Sequence, residues 1–182
     1  MFTAVRFAPD VQERLAESAA RLRAQSVRGR FTFQENFHLT LIFMGETPAE
    51  RLTAVRRAMD AVQAGPFSLR LEGAGCFERE RGALYWIGVR PNPGLDRLYA
   101  SLRRQLLQAG LPVESRPYRP HITLGREVET PPAFDRTAFS RSLPELSVPV
   151  DAFTLMRSDR IEGRLRYSPL YERRLTAGER QE

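Results

Sequence analysis

The sequence contains only two histidines, and each opens the same tetrapeptide: His38-Leu39-Thr40-Leu41 and His121-Ile122-Thr123-Leu124. In an extended strand alternate side chains share a face, so each His projects together with its Thr while the aliphatic neighbours point into a core. Two imidazoles and two hydroxyls gathered at one cleft suit in-line displacement at phosphorus. One neutral imidazole takes a proton from the attacking water while the other, as imidazolium, gives one to the leaving oxygen; an unperturbed pKa near about 6.5 lets either ring serve either way. The hydroxyls donate to the non-bridging oxygens and hold the phosphate between the rings. No metal is required, and no His-x-x-x-His or Cys-x-x-Cys spacing offers a ligand set. A single His-x-Thr on a strand is unremarkable, because Thr favours strands. The duplication makes the pattern informative.

The two tetrapeptides stand 83 positions apart inside a longer repeat. Val5-Arg6-Phe7-Ala8-Pro9-Asp10-Val11 is answered 84 positions later by Val89-Arg90-Pro91-Asn92-Pro93-Gly94-Leu95. Each follows an apolar, strand-like run and precedes a helical one. Residues 10–25 place Val11, Leu15, Ala19 and Leu22 on one face, and residues 94–109 do the same with Leu95, Leu98, Leu102 and Leu106. A polar connection then leads to each tetrapeptide. Beyond it the spacing predicts a helix over about 48–64, with Pro48 suited to a first turn, and a weaker one over about 132–141. Phe67–Leu71 is answered by Leu146–Val150, and a second strand follows across a polar turn: Ala83–Val89 after Arg81-Gly82, Arg164–Arg173 after Glu162-Gly163. The unit is strand, helix, strand, helix, hairpin, given twice. It predicts an α+β, bilobal, internally duplicated fold, with two mainly antiparallel sheets facing a central cleft and helices outside. One domain is expected over 1–182, built from repeats at about 1–82 and 83–175 whose lobes intertwine, with a frayed tail at 176–182.

A hydrophobic content of 42% over 182 residues supports a real core and excludes a disordered or fibrous chain. All 28 basic residues are Arg, giving a formal charge of +6. Arg favours bidentate phosphate contacts, so the charge fits a polyanionic partner; GC-rich coding accounts for it equally well. The excess is +3 in each half, so no basic arm stands out. Without Lys, a lysyl-nucleotide intermediate of a conventional ligase is excluded. Cys76 is the only cysteine, which excludes internal disulfides and thiolate-rich zinc sites and suits a reducing compartment. No apolar run reaches membrane-spanning length, and the chain opens into Phe2–Phe7 without a signal-like leader. A cytoplasmic monomer, needing no cofactor and no membrane, is expected.

Around the tetrapeptides stand Glu35-Asn36-Phe37-His38-Leu39-Thr40-Leu41-Ile42-Phe43-Met44-Gly45 and Arg116-Pro117-Tyr118-Arg119-Pro120-His121-Ile122-Thr123-Leu124-Gly125-Arg126. Here the sequence resembles the 2H phosphoesterase superfamily, defined by two His-x-Thr/Ser-x motifs in a duplicated bilobal fold. Within it the chain is similar to the bacterial and archaeal RNA 2′,3′-cyclic phosphodiesterases, formerly called 2′-5′ RNA ligases. The second stretch is the more specific, because arginines flank the motif and Pro120 precedes it. The order of elements matches over essentially the whole chain. Met44 and Phe37 replace more usual leucines, away from the chemistry. The resemblance implies hydrolysis of an RNA 2′,3′-cyclic phosphate end to a 2′-phosphomonoester, with a reverse 2′-5′ joining activity. It implies that the phosphate lies between the motifs and the base against an aromatic side chain. It also suggests His121 as base and His38 as acid, an order that pseudo-symmetry leaves undecided.

Arg126 is expected to contact phosphate, although strand parity puts it on the opposite face from His121 unless the strand bulges near Gly125. Arg119 shares the parity of His121 and is expected at the same cleft. Tyr118 and Phe37 are candidates to stack on a base, with lobe packing as the equal alternative. Tyr85 and Trp86 read as core and edge aromatics. Two other readings remain open. One is a cyclic phosphodiesterase for a small nucleotide, such as an ADP-ribose cyclic phosphate or a 2′-5′ oligoadenylate. The other is a non-catalytic RNA binder, against which the intact His38, Thr40, His121 and Thr123 speak.

Overall fold

The computed structural model describes residues 1–161 and 163–176. Of the expected tail, only Thr176 is among them, and Glu162 of the expected turn is not. In chain order the elements are β1 (Phe2–Arg6), α1 (Pro9–Ala24), β2 (Arg28–Phe31), β3 (His38–Phe43), α2 (Leu52–Asp60), β4 (Phe67–Phe77), β5 (Ala83–Val89), α3 (Pro93–Gln108), β6 (His121–Glu129), α4 (Arg136–Arg141), β7 (Leu146–Val150), β8 (Ala152–Ile161) and β9 (Arg164–Arg174). They form an α+β fold of two sheets, ordered β3-β1-β8-β9 and β2-β6-β5-β4-β7. Every strand pair is antiparallel.

Both long helices start where the chain stops them from starting earlier. Proline stands at their N-terminal edges, Pro9 and Pro93, where a missing N–H costs nothing. Asn92 adds a side-chain cap, accepting from the backbone N–H groups of Gly94 and Leu95 at 2.9 and 3.1 Å. The faces chosen by apolar spacing are the buried ones: Val11, Leu15, Ala19 and Leu22 in α1, and Leu95, Leu98, Leu102 and Leu106 in α3. Each helix reaches the motif strand of the opposite copy. Helix α1 packs on β6 and β2, whereas α3 packs on β3 and β4.

The shorter helices differ from their sequence-predicted spans. Pro48 is extended, at φ −60° and ψ 152°, and precedes a 3-10 turn over Ala49–Arg51, so the regular helix begins only at Leu52. Helix α4 is six residues long because Asp135 caps it through Thr137 N and Ala138 N, both at 2.9 Å, and the two prolines before it lie in a turn. The first polar connection holds a strand the sequence pattern did not reveal, β2, which pairs with β6.

Strand exchange is the main feature of the topology. Phe67–Leu71 of β4 pairs antiparallel with Val150–Leu146 of β7, the very segment that answers it in the repeat. Past that crossing β4 continues beside β5, while the chain of β7 passes Asp151 and continues as β8 beside β1. Strands β3-β1-β8 of one sheet therefore match β6-β5-β4 of the other, with the third strand of each supplied by the opposite half.

Candidate active site between the two motif strands

Both motif strands show the same alternation: His38 and Thr40 half-exposed over buried Leu39 and Leu41, His121 and Thr123 half-exposed over buried Ile122 and Leu124. The half-exposed face of each strand lines one cavity of about 600 Å³ that holds His38, Thr40, His121, Thr123 and Arg126 together. That volume lies in the range of small-molecule sites.

The rings are held alike. His38 Nδ1 lies 2.7 Å from the carbonyl oxygen of Asn36, and His121 Nδ1 lies 2.7 Å from that of Arg119. A carbonyl can only accept, so Nδ1 carries the hydrogen in each and Nε2 is turned toward the cavity. His38 Nε2 sits 3.0 Å from Thr40 Oγ1. Aromatic packing fixes the ring planes: His38 against Phe2 at 4.9 Å and edge-on to Tyr167 at 5.0 Å, His121 edge-on to Phe77 at 5.3 Å and near Trp86 at 6.4 Å. Burial pushes the pKa of His38 down to about 4, helped by the charges of Arg126 and His121 and opposed by the Asn36 carbonyl. Burial also lowers His121, with Arg126 acting the same way and the Arg119 carbonyl against it. Both rings are therefore neutral near pH 7.

Arg126 reaches the cavity because β6 bulges. Trp86 pairs with Thr123 but Tyr85 pairs with Gly125, so Leu124 and Gly125 are buried in succession and the parity inverts. The first motif strand bulges at the matching place, where Ala4 pairs with Thr40 and Thr3 with Ile42. The residue there that matches Arg126 is Phe43, 55% exposed. Only one motif therefore carries a guanidinium.

Three expected contacts are corrected. Phe37 is 2% exposed inside the core and cannot meet a base. Tyr118 stacks on Tyr99, ring centroids 4.1 Å apart and 4° from parallel, and donates to the carbonyl oxygen of Thr40 at 3.0 Å. It props the first motif strand from α3. The Arg119 side chain is exposed outside the residues lining the cavity, and this residue serves through its carbonyl. Tyr85 is buried at 2%, as expected, while Trp86 lies on the cleft face across Gly75. Sequence reasoning did not single out Tyr167, whose hydroxyl sits beside Arg126, or Asn36, which is 7% exposed and donates to the carbonyl oxygen of Leu165 at 3.0 Å. A polar residue two before each motif His was the available signal.

Among the described residues no group of three or more His, Cys, Asp or Glu side chains is placed to hold a metal ion. Among them, too, no helix is long and apolar enough to cross a membrane.

Two exchanged antiparallel sheets presenting paired His-x-Thr motifs to one cavity define a 2H phosphoesterase. Residues 9–162 match the 2′-5′ RNA ligase superfamily, and the chain belongs to that family. It is 34% identical over 174 residues to the RNA 2′,3′-cyclic phosphodiesterase of Escherichia coli, covering 93% of this chain and 95% of that one. With the enzyme of the same name from Thermotoga maritima it shares 28% over 180 residues, 97% of this chain and 96% of that one. The crystal structure of E. coli LigT in apo form superposes with a TM-score of 0.78 at 31% identity, covering 96% of both chains. That of E. coli LigT complexed with 3′-AMP gives 0.76 at 33%, covering 96% of this chain and 97% of the other.

Proposed function

We propose that this protein opens RNA 2′,3′-cyclic phosphate ends to 2′-phosphomonoesters by acid-base catalysis between His38 and His121, without a metal. The observation that carries the reading is two imidazoles, each fixed through Nδ1 by the carbonyl two residues before it, lining one cavity with two Thr hydroxyls and Arg126. The names of the relatives agree with it.

In the proposed step His121 takes a proton from water as its oxygen bonds to phosphorus. The bond from phosphorus to the 3′ oxygen breaks, and His38 gives that oxygen a proton. Thr40 and Thr123 donate to the non-bridging oxygens, and Arg126 balances their charge. With a nucleoside 5′-hydroxyl in place of water, the same displacement bonds the 5′ oxygen to phosphorus, breaks the bond to the 3′ oxygen and joins RNA ends through a 2′-5′ linkage. The acid needs a proton that burial and the charge of Arg126 disfavour, so the negative charge of the substrate phosphate must supply the bias.

Incubation of an RNA oligomer ending in a 2′,3′-cyclic phosphate, in the presence of a strong chelator, tests the reaction. A 2′-phosphate product is expected; a 3′-phosphate, or loss of turnover on chelation, overturns the scheme. His38→Ala and His121→Ala should each slow turnover by about 10² to 10⁴. The opposite order of roles, with His38 as base, is the alternative that the pseudo-symmetry of the two motifs leaves open. A substrate whose 3′ leaving atom is sulfur decides between them, because thiolate departs unprotonated and rescues only the variant that lacks the acid.

A further inference from the structure

The cavity extends well past the imidazoles, and its outer part has a chemistry of its own. Five arginines line it, Arg23, Arg30, Arg126, Arg160 and Arg164, and among the described lining residues none is acidic. The charge of Arg126 acts on both imidazoles. Of the other four, Arg30 is paired with Glu127 at 2.7 Å. Arg23, Arg160 and Arg164 have no ion-pair partner among the described residues.

Apolar surface accompanies this charge. Phe33 is 50% exposed just before the first motif strand, Leu165 is 39% exposed on β9, and both line the cavity. The Arg164 guanidinium lies over the Phe33 ring, 5.7 Å from its centroid. A half-exposed aromatic ring, an arginine plane over it and nearby cations without an ion-pair partner among the described residues are what a single-stranded nucleotide requires: a stacking face for the base and countercharge for its phosphate. The proposed step assigns the reacting phosphate to Arg126 and the two motifs, which leaves these outer groups for a second.

We propose that the cleft mouth, between Phe33 and the side chains of Arg160 on β8 and Arg164 on β9, binds the nucleotide immediately upstream of the cyclic phosphate, making an RNA strand rather than a mononucleotide the preferred substrate. The inference rests on the cyclic-phosphate reading. It goes further in assigning a subsite, with Phe33 and Arg164 stacking on the upstream base and Arg160 and Arg23 meeting its phosphate.

The test compares kcat/KM for a tetranucleotide and a mononucleotide that end in the same 2′,3′-cyclic phosphate. The wild-type ratio should exceed about ten, Phe33→Ala should lower it about tenfold, and Phe33→Trp should preserve it. Arg160→Ala and Arg164→Ala should each flatten the dependence of log(kcat/KM) on log salt by about 0.7 for the oligomer. A wild-type ratio near one, or a Phe33→Ala loss equal on both substrates, overturns the subsite. Turnover of neither substrate counts against the catalytic reading instead. Anisotropy with a labelled tetranucleotide ending in 3′-phosphate then judges the subsite: salt-dependent binding weakened by Phe33→Ala supports it, and binding indifferent to Phe33, Arg160 and Arg164 rejects it.

Discussion

His38 is where the fold and the chemistry pull against each other. Its ring is packed between Phe2 and Tyr167 and its pKa is held at about 4, while the unfolded chain leaves it near about 6.5. The folded-state value is the lower one, so the unfolded chain binds the proton first. Stability is then fully present above about pH 6.5 and is lost as pH falls toward about 4, at up to about 1.4 kcal/mol per unit. Urea unfolding at pH 7 and pH 5 should show this slope in the wild type and a shallower one in His38→Asn; equal slopes would contradict the burial argument. The same shifts set the activity profile. Because both rings are depressed, kcat/KM, which reports the free enzyme, should peak on the acid side of about pH 6.5, and kcat should peak higher once phosphate is bound. The meeting of both histidines at one cavity was legible in the sequence because two histidines in one repeated pattern leave few alternatives. Phe37 and Tyr118 were misread because an aromatic beside a motif looks the same whether it faces the cleft or the core.

At the level of elements, the matched bulges decide which side chains reach the cavity. The bulge of β3 is supported by Thr3, wholly buried, whose hydroxyl accepts from the N–H of Ile42 at 3.2 Å and lies 3.4 Å from its carbonyl oxygen. Thr3→Val keeps the shape and removes that hydrogen bond, a cost of about 0.5 to 1.5 kcal/mol. Denaturant midpoints should fall accordingly, and kcat should fall with them because His38 and Thr40 ride on the same strand. An unchanged midpoint would show that the bulge stands without the hydroxyl. Helix faces, the motif strands and the hairpins were readable from period and turn residues alone. The bulges were not, since one extra residue leaves apolar pairs such as Leu41-Ile42 that read as ordinary strand. Strand β2 was missed for a related reason: Arg28-Gly29-Arg30-Phe31 has no apolar alternation, and its partner β6 stabilises it from ninety-odd positions away.

For the molecule as a whole, the exchange of β4 and β8 means that neither sheet is complete within its own half of the sequence. The main buried cluster also runs through both sheets, from Val5 and Leu39 to Ile87 and Ile122. We therefore expect one cooperative unit over the described chain rather than two separable lobes. Fluorescence of Trp86, the single tryptophan, reports the second sheet, and far-ultraviolet circular dichroism reports both. Their urea transitions should coincide, and two separated midpoints would mean that the lobes unfold independently. The exchange has a further meaning for the asymmetry at Phe43 and Arg126. Two identical half-length chains trading a strand could build the same hollow as a symmetric pair, but any guanidinium placed on one side would then recur on the other. Tying the halves into a single polypeptide frees each flank to evolve alone, so a substrate whose two ends differ can be met by a pocket whose two walls differ.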